Sequence, residues 1–258
     1  MSTGDSIKAT LWRDRLIITG GLTVLVALSW LYLADMVRSV HGMHMEMSSP
    51  QGQAWGLSGF LSAFAIWSVM MVGMMLPSAS PMILTFSSLE RRQSDARTFA
   101  RTGLFVLGYA TVWMVYSALA AFAQGGLQAA AVLSAMGASM SPYLAGGLLF
   151  TAGAFQLTPL KYACLDRCRT PVGFLLAEWR SGSGGALVMG LRHGAYCAGC
   201  CWAITALMFV LGVMNLLWMA ALAAFVLLEK VVPAGHRVGQ AAGVLLIIWG
   251  ARVVARTL

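Results

Sequence analysis

Residues 16–36 read LIITGGLTVLVALSWLYLADM, a run whose one charged side chain is Asp35. As a helix it would rise about 30 Å, enough to cross the hydrocarbon layer of a bilayer. Six further apolar runs follow, at residues 57–86, 102–123, 142–160, 191–213, 216–232 and 238–258. Pro77 and Pro81 are expected to break the later half of the second run, because proline lacks the amide proton that a helix interior uses. Residues 127–140 are apolar but short, and read either as an interfacial segment or as an extension of the third helix. The expected fold class is therefore all-α: a polytopic transmembrane helical bundle of about seven helices (six to eight), formed as a single domain by residues 1–258.

Composition points the same way. The chain is 59% hydrophobic and 10% charged, with a mean hydropathy of +0.77, whereas soluble domains carry about a quarter charged residues. A water-soluble fold is excluded on this basis. The net charge of +8 and pI near 9.7 raise the question of nucleic acid, but the Lys and Arg residues lie in short clusters between apolar runs. That spacing suits lipid headgroups, so the bilayer is the expected partner and nucleic acid is not. Of the 17 Lys and Arg residues, Arg38, Arg252 and Arg256 fall on one side of the expected bundle and the other fourteen on the opposite side. The positive-inside rule then puts the N-terminus in the cytoplasm, in a multi-pass protein of the bacterial inner membrane. Lys8, Arg13 and Arg15 precede the first run as they would in a signal peptide. That run exceeds the usual h-region of about 7–15 residues, so it reads as a retained helix.

Two segments outside the helices concentrate polar chemistry. Residues 161–190 are expected to be a cytoplasmic loop carrying a Cys-x3-Cys pair, Cys164 and Cys168, and ending in a Gly/Ser run at 181–185. Just beyond it, Cys197, Cys200 and Cys201 open the fifth apolar run, one turn after His193. Helical residues three or four apart share a face, so His193, Cys197 and either Cys200 or Cys201 form one stripe that Cys164 and Cys168 can face. Soft thiolates with an imidazole suit a three- or four-coordinate site for copper or zinc. A single buried cysteine reads as a small hydrophobe, but five near one histidine point to a metal. The reducing cytoplasm favours free thiols over disulfides. Of the adjacent pair, Cys200 is the expected ligand, because its spacing from Cys197 is the usual chelating one.

Residues 37–56 form the expected extracytoplasmic loop. His41, Met43, His44, Met45 and Met47 there are candidates for a second, Cu(I)-type metal site, because thioethers remain ligands where thiols would be oxidised. A loop whose methionines pack on the bilayer surface is an equal reading. Met70, Met71, Met74 and Met75 recur at helical spacing and read as packing. Glu229 and Lys230 end the sixth run. Glu229 and Arg192 are candidates to support the ligands, the carboxylate by orienting His193, and Lys230 is expected to snorkel to the surface.

Several of these stretches carry a resemblance. Met74-Met75-Leu76-Pro77-Ser78, Gln156-Leu157-Thr158-Pro159-Leu160-Lys161 with Cys164 and Cys168, and Gly190-Leu191-Arg192-His193-Gly194 with Cys197-Ala198-Gly199-Cys200-Cys201-Trp202 resemble an uncharacterised bacterial family of predicted metal-binding integral membrane proteins. Gly212-Val213-Met214-Asn215-Leu216 and Glu229-Lys230 continue it, so that it runs from about residue 67 to 233. The resemblance implies membrane location and metal binding, without naming the metal.

The expected function is metal handling, with copper as the cargo and zinc as the second choice. The chain would act as a permease, a chaperone or a factor that matures a metalloenzyme, with a soluble metal donor or acceptor protein as partner. One alternative is a membrane thiol-disulfide oxidoreductase cycling Cys197 and Cys200, and another is a structural or assembly subunit with inert thiols. No P-loop, Gly-x-Ser-x-Gly or His-Glu-x-x-His motif is present, so no catalytic residues are assigned and enzymatic activity is not expected.

Overall fold

A computed structural model describes residues 3–44, 56–93, 97–134 and 137–256, with side chains for 10–39, 56–92, 97–134 and 137–256. The described residues are all-α, with one isolated bridge between Leu133 and Ser139. In chain order the helices are α1 (Thr3–His44), α2 (Leu57–Gln93), α3 (Thr98–Ala129), α4 (Pro142–Gln156), α5 (Pro159–Arg169), α6 (Pro171–Glu178), α7 (Gly182–Ala206), α8 (Met208–Leu211), α9 (Leu216–Val231) and α10 (Gly235–Ala255). Met45 and Met47 lie outside the described residues, as do the side chains of His41, Met43 and His44.

Among the described residues, five stretches are long and apolar enough to cross a membrane: Thr10–Ser39, Leu57–Arg92, Thr98–Ala129, Gly182–Leu211 and Gly235–Ala255. The expected fourth and sixth crossings fall short of the usual length, as the 15-residue α4 and the 16-residue α9. Local chemistry explains the first of these. Thr158 has extended backbone, accepts from the Lys161 amide at 3.3 Å and is followed by Pro159, so a new helix starts where the apolar run continues. Ser141 with Pro142 starts α4 in the same way, and Asn215 caps α9 by accepting from the Trp218 amide at 3.0 Å. Residues 161–190, expected as a loop, are mostly helical: they form most of α5, all of α6 and the start of α7.

The prolines of α2 do not break it. Its helix is continuous from Leu57 to Gln93, because other donors serve the carbonyls that the prolines cannot. Gly73 O, four residues before Pro77, accepts from Trp30 Nε1 at 3.3 Å. Pro77 O, four before Pro81, accepts from Ser80 Oγ at 2.8 Å. Freed carbonyls away from water are tolerated only when satisfied in this way.

Glycines set the closest helix contacts. A Cβ on Gly190 of α7 would collide with Phe105 O of α3, and one on Gly108 would collide with Leu187 O. Gly194, one turn after Gly190, would meet Val112 Cγ2 at 2.9 Å. Small residues four apart let two backbones touch without a layer of side chains between them. On the far side, α4 and α10 approach likewise, with Gly153 and Gly243 each within 3 Å of the other's carbonyl oxygen once a Cβ is added. The core between these pairs contains Trp67, Met70, Met71, Met74, Met75, Phe86, Phe105 and Tyr109, all buried, so the methionine stripe of α2 does pack inward. The outer surface is apolar as well: Phe122 is 75% and Leu217 82% exposed.

Candidate metal centre

Close packing of α3 on α7 presses the His193 stripe against Tyr109, and the cysteines follow along it. Cys197 lies 15 residues into α7, about 22 Å along that helix from its start. Cys168, Cys197, Cys200 and Cys201 are all buried, and all five cysteines are free. Cys168 lies beside Cys197 and Cys200 and interacts with them electrostatically, as does Cys201 from the adjacent position on α7. Four thiols from two helices therefore meet in one cluster. The thiols of Cys200 and Cys201 also donate to Cys197 O, at 3.1 and 2.8 Å. Adjacent cysteines thus reach one point, since the first bonds back three residues and the second four.

Cys197 is the centre of this cluster. Its sulfur accepts from Lys230 Nζ at 2.9 Å and lies 3.2 Å from Tyr109 Oη. Lys230 also donates to Ser78 Oγ at 3.0 Å and is 8% exposed. The lysine expected at the surface instead points inward, where a buried ammonium needs an anionic partner. Tyr109 and Ser78 are further members that spacing did not reveal.

His193 is 2% exposed, and neither ring nitrogen has a hydrogen-bond partner. Its ring is enclosed by Phe105, Tyr109 and Phe174, with centroids 6.0, 5.5 and 5.6 Å away. An unsatisfied buried polar group costs about 1–3 kcal/mol, so a nitrogen left bare beside four thiols fits a position where a soft cation completes the contacts. Among the described residues, no three His, Cys, Asp or Glu side chains already surround one metal position. The thiols of Cys200 and Cys201 turn instead to the Cys197 carbonyl.

The two supporting residues act elsewhere. Glu229 pairs with Lys161, which is fully buried, and accepts from Gln156 Nε2 at 3.2 Å. It does not meet His193. Gly239 of α10 seals this pair, since a Cβ there would strike the Glu229 carboxylate. Arg192 pairs with Glu178 at the surface. Arg169 at the other end of α5 donates to Val232 O and Pro233 O at 2.6 and 3.0 Å. Two clamps therefore hold α5, which bears Cys168, against α9, which bears Lys230. Cys164 stands on the rim, partly exposed, where burial raises its thiol above the ordinary value and the nearby Cys200 adds to the rise. A cleft of about 370 Å³ lined by Val37, Leu211, Gly212, Met214 and Asn215 contains none of the cysteines.

The model of one family, PpoB2, described as a copper chaperone, matches residues 64–253, most of the chain. The chain belongs to the PpoB2 copper chaperone family. No curated protein and no solved structure matches it. The match to the copper chaperone family spans α2 to α10 and so includes all five cysteines, His193 and Lys230, while the Met/His segment at 41–47 precedes it. The metal-binding family expected from the motifs is thus a copper-related one.

Proposed function

We propose that this chain is a multi-pass membrane copper chaperone that holds Cu(I) inside its helix bundle on the thiols of Cys168, Cys197, Cys200 and Cys201, with His193 as a nitrogen donor. The observation that carries the proposal is the buried grouping of Cys197, Cys200 and Cys201 on α7 with Cys168 of α5 beside them, next to a His193 whose ring nitrogens are both unpartnered. Thiolate and imidazole are the donors that soft Cu(I) prefers. Copper is chosen over zinc, which the same donors would accept, on the strength of the family. Binding of Cu(I) by two thiolates leaves one negative charge, and the Lys230 ammonium beside Cys197 offsets it in surroundings without water.

Membrane insertion is supported by the five long apolar helices and by the apolar outer surface. In the seven-pass arrangement α4 and α9 supply the two short crossings, and the N-terminus is cytoplasmic, in a bacterial inner membrane. Residues 41–47 would serve as a second, outer metal site of lower affinity than the thiol cluster. A soluble protein would supply or receive the copper.

The reading is tested by purifying the protein in detergent without oxygen, offering copper and zinc together under reducing conditions, and counting metal per chain. About one Cu(I) ion per chain with little zinc is expected for a single site of soft donors. Preferential zinc loading would overturn the copper assignment. A metal-free protein would overturn the whole reading.

A further inference from the structure

Cys164 is the one cysteine that is not buried. It precedes Cys168 by one turn of α5, and the exposed charged neighbours Asp166 and Arg167, with side chains 59% and 47% accessible, mark that helix as bordering water. On its other side its sulfur lies against Gly199, where a Cβ would sit 3.1 Å from Cys164 Sγ. Gly199 is the residue before Cys200, and the Cys164 and Cys200 thiols interact electrostatically. One thiol therefore stands between the aqueous edge and the buried cluster, packed on a glycine whose lack of a side chain lets it approach α7 beside Cys200.

We propose that Cys164 is the exchange thiol through which Cu(I) passes between the buried cluster and a water-soluble, thiolate-bound Cu(I) carrier. The proposal rests on the copper reading above and adds a division of labour: four buried thiols store the ion, and the rim thiol moves it. In the outward step the S–H bond of Cys164 breaks as its sulfur bonds to copper. The bond from copper to Cys200 then breaks, and the Cys200 sulfur takes up the proton. Copper remains Cu(I) and the number of thiolates on it is restored, so the step needs no oxidant or reductant. Low coordination numbers at Cu(I) leave room for the incoming sulfur.

The test loads the detergent-purified, anaerobic protein with Cu(I) and follows transfer to the water-soluble chelator bathocuproine disulfonate by absorbance. C164S should retain bound copper close to the parent level while releasing it at least about tenfold more slowly, equivalent to about 1.4 kcal/mol on the barrier. G199A keeps every sulfur but crowds Cys164 Sγ with its new methyl group, so it too should slow release without emptying the site. If C164S loses as much copper as C197S, Cys164 is a storage ligand and the proposal fails. If both variants release copper at the parent rate, the ion leaves by another route and the proposal again fails. A parent protein that takes up no Cu(I) would instead refute the copper reading itself, a result distinct from either of these.

Discussion

Replacing Cys197 by serine is expected to reduce bound copper to below about one tenth of the parent level, because an incomplete soft-donor shell forfeits much of the binding free energy. Cys197 is where the other contacts meet: Lys230 donates to its sulfur, Tyr109 touches it, and the thiols of Cys200 and Cys201 donate to its carbonyl. Serine retains a hydroxyl that accepts from Lys230 and bonds with Tyr109, so the fold should be preserved while the ligand is lost. Elemental analysis of the purified variant, alongside its elution volume and melting temperature, separates the two effects. Unchanged copper content in a folded variant would remove Cys197 from the site.

The second large effect is expected at the buried pair of Lys161 and Glu229, whose side chains are 0% and 3% accessible. Replacing Glu229 by lysine places two ammonium groups together under α10, and breaking such a pair costs about 3–5 kcal/mol. The variant should melt far lower and carry little copper, since this contact holds Cys168 on α5 and Lys230 on α9 in register with α7. Exchanging both residues, K161E with E229K, re-forms the ion pair with reversed polarity. It should recover part of the stability and part of the copper. Equal losses in the single and the exchanged protein would show that the carboxylate acts for some other reason than pairing with Lys161.

Much of the bundle can be read from apolar run lengths, because they report burial and little else. Where they misled, local hydrogen bonding was responsible. Thr158 with Pro159 starts a new helix inside what looked like one apolar run, a cap that the Thr-Pro pair signals. Pro77 and Pro81 looked like breaks, yet Trp30 and Ser80 satisfy the carbonyls concerned, and no spacing rule identifies a partner 43 residues away.

At the site, the stripe of His193, Cys197, Cys200 and Cys201 follows from helical periodicity alone. Cys168 and Cys164 do not separate by periodicity, since both belong to one Cys-x3-Cys pair; burial of one and exposure of the other depend on how α5 is clamped. Lys230 reads as a surface lysine because its partners, Cys197 and Ser78, lie 33 and 152 residues away, beyond any local spacing rule. The Gly190 and Gly194 spacing was the available signal for close approach of α7 to another helix. It pointed to a contact without naming Tyr109 as what lies across it.

X-ray absorption at the copper edge of the anaerobically loaded protein tests the central claim most directly, because it reports the oxidation state and the atoms bound to the metal together. The account predicts Cu(I) in a shell dominated by sulfur, and loss of that signal when Cys168, Cys197, Cys200 and Cys201 are replaced together by serine. A copper shell made only of nitrogen and oxygen, or a sulfur shell that survives the fourfold replacement, would contradict it.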